Sequence, residues 1–270
     1  MINLKINMTF KKIRSAVGKL ITENQQTRII IWLSEIFWWA RKFFLGVEID
    51  YPSDFLDNWK KIKKQTSQDR ARNFTLYQII KFHNKIFEGK QTNVIEFGVD
   101  LGASVTTIAR FIKKNTNIYA IDSFGLHDDS IKKNVSEYDE HYHGSYKPFT
   151  KETRFGDFSY IQMTRNINDE INKKNSKLET IAGFFPKLDE NSMKKISEIK
   201  FSFVHLDLDL YQSTIDSFKF VKSRLEKNAI ILIDDYNFIN QEGVKKAINE
   251  MKVDLDRTFQ TQGGQLIIYT

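Results

Sequence analysis

Four short apolar runs in this chain stop abruptly at a polar, mostly acidic group, and that pattern constrains the fold more than any other feature. Asn93-Val-Ile-Glu-Phe97 runs into Gly98-Val-Asp-Leu-Gly102, and Asn117-Ile-Tyr-Ala-Ile121 into Asp122-Ser123. Phe201 to Leu206 runs into Asp207-Leu-Asp209, and Ala229 to Ile233 into Asp234-Asp235. Leu178 to Ala182 is a further strand, and the segment from Asp256 to Thr270 reads as two strands joined at Gly263-Gly264. Helical spacing separates the runs over residues 70–87, 104–113, 214–225 and 242–251, and 160–172 is predicted helical as well. The alternation predicts an α/β fold: a mostly parallel sheet covered on both faces, closed by an antiparallel hairpin. In such sheets ligands sit beyond the carboxyl ends of the strands. Acids gathered there serve stability poorly, so the strand ends mark a site.

The glycine loop narrows the ligand. Gly98 and Gly102 allow a tight turn and a close backbone approach before a helix that opens near Ser104. Asp122 ends the next strand, where an acid accepts the hydroxyls of a ribose, and Ser123 stands beside it. The loop is not Gly-x-Gly-x-x-Gly, and Glu96 opens it. A glutamate there repels a pyrophosphate but suits the positive amino group of S-adenosylmethionine. Glu96, Gly98, Gly102, Ser104, Asp122 and Ser123 are therefore the candidate cofactor residues. Asp207, Asp209, Asp234 and Asp235 end two strands expected to be neighbours, about 4.8 Å apart. Carboxylates that close do not all stay ionised uncompensated: either some hold protons or a cation sits among them. Oxygen-only ligation suits Mg²⁺. The competing reading makes Asp234-Asp235 a turn cap.

Composition removes other chemistries. There is no cysteine, so disulfides, thiolate zinc sites, iron–sulfur clusters and a cysteine nucleophile are excluded. The net charge is +7, and the first 50 residues carry eight basic and four acidic side chains. The remaining 220 share only +3, which argues against nucleic acid as a partner. Residues 1–65 read as a basic, amphipathic helical extension and 66–270 as the catalytic domain. In 29–47, Ile29, Leu33, Ile36, Phe43 and Val47 share a helical face, while Glu35, Arg41 and Lys42 break any membrane span. That face fits the main domain, a second subunit in a homo-oligomer, or peripheral contact with a membrane. No signal-peptide cleavage site is visible, so the expected location is the cytoplasm, with the inner membrane face as the place for such a contact. Asp50 to Asp54 reads as a turn, and Trp59 to Lys64 as a solvated helical segment.

Taken in order, Glu96-Phe-Gly-Val-x-x-Gly102, Asp122-Ser-Phe-x-Leu126, Gly183-Phe-Phe-Pro186, His205-Leu-Asp-x-Asp-Leu-Tyr211-x-Ser-Thr214 and Asp234-Asp-Tyr236 resemble the macrocin O-methyltransferase family of metal-dependent sugar methyltransferases. The resemblance covers roughly residues 70–270. It implies a Rossmann-like class I methyltransferase fold with a seven-stranded sheet, S-adenosylmethionine as methyl donor, and Mg²⁺ on Asp207, Asp234 and Asp235. It also implies Asp209 as a candidate general base; read apart from the resemblance, His141 and His143 of the polar loop are lid residues that could touch substrate or act as base. The expected reaction is methyl transfer to a sugar hydroxyl of a surface glycan, nucleotide sugar or glycosylated metabolite. A catechol-type O-methyltransferase and a non-catalytic membrane-associated scaffold on the same fold are the competing readings. His205, Tyr211, Phe184 and Phe185 are placed near the site without an assigned role.

Overall fold

Strands that bury both faces need mostly apolar side chains, and the central strands here have them, with Glu96 and His205 as buried exceptions. The protein is described by a computed structural model covering residues 50–63, 66, 68–124, 136–139, 167–168, 170–172, 174–237, 242–261 and 263–270. Strands β1 (Thr92–Phe97), β2 (Thr116–Asp122), β3 (Leu178–Ala182), β4 (Phe201–Leu206) and β5 (Leu225–Ile233) pair in parallel. Strands β6 (Thr258–Gln260) and β7 (Leu266–Tyr269) close the sheet antiparallel, giving the order β3-β2-β1-β4-β5-β7-β6. The predicted α/β sheet with its closing hairpin is the observed one. The order reverses between β1 and β4, so the carboxyl ends of β1, β2, β4 and β5 open onto one crevice.

Helices α1 (Ser53–Ile62), α2 (Arg70–Ile86) and α3 (Ala103–Phe111) precede β2. Helices α4 (Glu190–Ser197), α5 (Tyr211–Lys222) and α6 (Glu242–Glu250) follow β3. Leu76, Ile79 and Ile80 of α2 and Val105 and Ile108 of α3 pack on Val94, Ile118, Phe203 and Leu232 on one face of the sheet. Ile196 of α4, Phe218 and Val221 of α5 and Val244 and Ile248 of α6 pack on Ile95, Val204, Ile231 and Ile268 on the other. Helices α2, α3, α5 and α6 thus each pair an apolar stripe with one face, the arrangement that right-handed crossovers produce.

Two stretches differ from the sequence expectation. The segment read as a turn and a solvated helix is the single helix α1, whose Phe55, Trp59 and Ile62 are buried against Tyr77 and Ala103. Its lysines pointed the expectation outward, but a stripe at i, i+4 and i+7 faces inward. Helix α4 was not foreseen, because only Ile196 is buried on it. Its start was nonetheless written in Asp189, whose carboxylate accepts from Ser192 N at 3.0 Å. Of the predicted 160–172 helix, 167–168 and 170–172 are described and helical, with Ile167 and Ile171 in the core. Residues 29–47, His127, His141 and His143 lie outside the described residues.

Candidate active site

Strand register decides which acids meet. Leu206 pairs with Ile233, so Asp207 and Asp234 follow side by side, and Asp234 N donates to Leu206 O at 2.8 Å. Phe97 pairs with Leu206, so Gly98 runs against Asp207. Gly98 has φ +84°, and a Cβ there would stand 1.8 Å from the Asp207 carbonyl oxygen. This glycine is required by the packing of β1 against β4, apart from any ligand. Gly102, at φ +87°, is the residue from which α3 starts, and Ser104 is buried in the first turn. Asp100, Phe124, Asp209 and Asp235 also have positive φ, so strained backbone gathers at this end of the sheet.

The Asp122 carboxylate holds the glycine loop. Its Oδ2 accepts from Val99 N at 2.7 Å and Asp100 N at 2.9 Å, and its Oδ1 accepts from Phe124 N at 2.7 Å. Ser123 Oγ stands 3.4 Å from the same Oδ1. Burial pushes this carboxyl above its usual range, and the backbone donors oppose the push. Two amides fill Oδ2, so Oδ1 carries the capacity left for a ribose hydroxyl. Glu96 is fully buried, and its Oε1 bonds His205 Nδ1 at 2.8 Å across the β1–β4 register. Among the described residues its Oε2 has no partner, nor has His205 Nε2. A buried carboxylate oxygen lacking a donor fits an arriving ammonium group. Burial lowers the pKa of His205, but the bond to Glu96 and the charges of Glu96, Asp234 and Asp235 outweigh it and raise the group above its ordinary value.

The four predicted aspartates do converge. Asp207, Asp209 and Asp235 each offer an oxygen within 4.8 Å of the others, and His205, Asp207 and Asp234 form a second set sharing Asp207. The expected trio of Asp207, Asp234 and Asp235 therefore spans the two sets. Burial, then the charges of Asp234, Asp235 and Asp209, push Asp207 well above the usual carboxylate range. Burial also raises Asp234, against the pull of Arg72 and His205.

Sequence reasoning missed the cation in this cluster. Arg72 of α2, only 7% exposed, donates from Nη2 to Asp235 Oδ1 at 2.6 Å, and its Nη1 lies 3.7 Å from Asp234 Oδ2. Its Nε donates to Gly263 O at 2.9 Å, tying the group to the β6–β7 turn. Burial works against the guanidinium, but Asp235 and Asp234 outweigh that and hold it charged. Gln265 Nε2 donates to Asp234 Oδ1 at 2.5 Å, and Gln68 Nε2 to Asp207 Oδ2 at 2.9 Å and to Asp234 Oδ2. Asp139 is a further unforeseen residue: its carboxylate accepts from Ser136 N at 2.8 Å and Tyr211 N at 2.9 Å, pinning residues 136–139 to the start of α5. Tyr211 itself turns to α6, its hydroxyl donating to Glu250 at 2.5 Å. Phe185 is core, 4.9 Å from Phe97 and 5.2 Å from Phe220 between ring centres.

Residues 95–236, from within β1 to just past the Asp234-Asp235 pair, match the family model described as a methyltransferase domain. The chain belongs to this methyltransferase family. The matched span holds the glycine loop, Asp122 and all four aspartates, while Gln68, Arg72 and Gln265 lie outside it. Among solved structures, the O-methyltransferase NovP aligns with a TM-score of 0.55 and 16% identity, covering 76% of this chain and 81% of that one. CalS11, a calicheamicin methyltransferase, aligns with a TM-score of 0.56 and 13% identity, covering 83% and 95%. At these identities the likeness establishes the shared fold. No curated protein matches the chain.

Proposed function

We propose that this methyltransferase moves a methyl group from S-adenosylmethionine to a sugar hydroxyl, with Mg²⁺ held by Asp207, Asp234 and Asp235. The observation that carries the reading is a pair of overlapping acidic sets, Asp207 with Asp209 and Asp235 and Asp207 with His205 and Asp234, each with ligand atoms within 4.8 Å, beside a glycine loop that opens at a buried glutamate whose Oε2 lacks a donor among the described residues. The described relatives are consistent with it: NovP is an O-methyltransferase, and CalS11 is named a TDP-rhamnose 3'-O-methyltransferase. The acceptor class is a sugar on a surface glycan, a nucleotide sugar or a glycosylated metabolite.

The chain's own groups divide the work. Glu96 Oε2 accepts from the donor's ammonium, Asp122 Oδ1 from a ribose hydroxyl, and the loop from Gly98 to Gly102 shapes the space between them. A divalent ion on the aspartates supplies a lowered hydroxyl pKa and a fixed position for that oxygen. Asp209 accepts the hydroxyl proton, standing at positive φ two residues beyond Asp207 with its oxygen among the same group. Asp139 fixes residues 136–139 of the segment between β2 and β3 against α5. Among the described residues no helix is long and apolar enough to cross a membrane.

Methyl transfer to nucleotide sugars and to catechols, with and without chelator, tests the reading. Turnover on a sugar that chelator removes and Mg²⁺ restores is the expected result. Asp209→Asn keeps the side-chain shape and removes the base, so turnover at saturating Mg²⁺ should fall by about 10²–10⁴. Near-normal turnover in this variant moves the base to another residue. Undiminished activity in strong chelator removes the metal from the scheme, and transfer to catechols alone reassigns the acceptor.

A further inference from the structure

All three carboxylates assigned to the ion are already contacted by one short arm of the chain. Gln68, 8% exposed just ahead of α2, places its amide nitrogen between Asp207 Oδ2, at 2.9 Å, and Asp234 Oδ2. Arg72, one turn later, bonds Asp235 Oδ1 at 2.6 Å. Asp69 lies between them and caps α2 by accepting from Arg72 N at 2.8 Å, which fixes the arm's geometry. An amide nitrogen and a guanidinium only donate; neither ligates a cation. An ion bridging Asp207 and Asp234 needs the same lone pairs, and the same space, that Gln68 Nε2 uses.

This inference rests on the metal reading above. We propose that Gln68 and Arg72 form a latch over the divalent-ion site. The Gln68 amide and a divalent ion compete for the Asp207 and Asp234 carboxylates. Loading displaces that amide, while Arg72 stays on Asp235 and Gly263 and offsets part of the negative charge that remains. Four aspartates held together without donors or a cation repel one another, so the latch supports the folding of this cluster. The same donors compete with the ion, so they set its affinity. Metal binding is thereby coupled to the start of α2, outside the span of the family match.

The test measures Mn²⁺ binding to metal-stripped full-length protein, by calorimetry and by electron paramagnetic resonance, without acceptor or turnover. Gln68→Met keeps the length of the side chain and lacks its donors, and Gln68→Ala serves as a second variant. Both should bind Mn²⁺ about tenfold more tightly than wild type, the size expected when one competing bond to a charged group is lost. Both should melt at lower temperature than wild type without metal and gain more from Mn²⁺. Asp234→Ala reports on the site itself. If wild-type binding needs Asp234 but the Gln68 variants bind equally or more weakly, the latch is wrong and the metal reading stands. If wild type, Gln68→Met and Asp234→Ala all bind alike, or none binds, the metal reading fails and the latch with it. Binding that appears only in the Gln68 variants supports the latch in its strongest form.

Discussion

Asp122 uses its carboxylate on three backbone donors, Val99 N, Asp100 N and Phe124 N, before any ligand arrives. Its replacement therefore acts twice. Asp122→Ala should weaken S-adenosylhomocysteine binding by about tenfold or more, a loss the size of one bond to a charged acceptor. It should also lower the melting temperature of the free protein, because the loop loses its tether. Calorimetry and thermal melting separate the two, and unchanged affinity with a lowered melt would leave Asp122 a purely structural residue. His83 makes a different point. Its ring is fully buried on α2, with Nε2 2.8 Å from Ser202 Oγ, and burial pulls its pKa from 6.5 down to about 4. The native state thus holds a neutral imidazole that the unfolded chain protonates first. Stability is present above pH 6.5 and is lost as pH falls toward 4, by about 3 kcal/mol at the limit. Urea unfolding of wild type and His83→Gln across that window should show the variant losing less, and parallel curves would remove His83 as the source.

At the level of elements, the end of β1 and the end of β4 are packed too closely for any side chain between them. Gly98→Ala puts a methyl 1.8 Å from the Asp207 carbonyl oxygen at a φ of +84°. The β4 end must move, which carries Asp207 with it. The expected cost is on the order of 2–4 kcal/mol of stability, read in urea unfolding, together with loss of Mn²⁺ binding. A variant with native stability and metal affinity would mean that this junction tolerates movement. The strands around it were legible because each is an unbroken apolar run with a polar stop, a pattern local to six or seven residues. Asp207, Asp209, Asp234 and Asp235 were legible for the same reason, as the stops themselves. Arg72, Gln68 and Gln265 were not. They reach Asp234 and Asp235 from α2, from the arm before it and from the β6–β7 turn, and no spacing along the chain announces a contact across 163 residues. The first half of β5 was missed because Glu226, Lys227 and Asn228 are exposed, so no apolar run marks it.

For the whole molecule, the sequence division at residue 65 does not coincide with the packing. Helix α1 belongs to the body: Phe55, Trp59 and Ile62 are buried on α2 and α3, and Tyr51 meets Phe74 edge-on at 4.8 Å. The packed body therefore includes Tyr51 and α1, ahead of residue 65. The first 49 residues carry eight basic and three acidic side chains and the apolar positions Ile29, Leu33, Ile36, Phe43 and Val47, which share a face if the segment is helical. A basic, amphipathic segment of that kind is attracted to anionic lipid by about 1 kcal/mol per charge near the surface. Full-length protein should then bind vesicles containing anionic lipid and release them as salt shortens the screening length from about 10 Å at 0.1 M to about 3 Å at 1 M. A chain starting at Asp50 keeps Tyr51 and α1, so it should unfold at the same temperature as the full chain, stay at the same oligomeric state and lose the vesicles. Cutting two residues further, through Tyr51, should lower the melt because the edge-on contact with Phe74 goes. If removal of residues 1–49 instead changes the oligomeric state or causes aggregation, the apolar face of 29–47 covers a second subunit, and vesicle binding by the full chain should be absent.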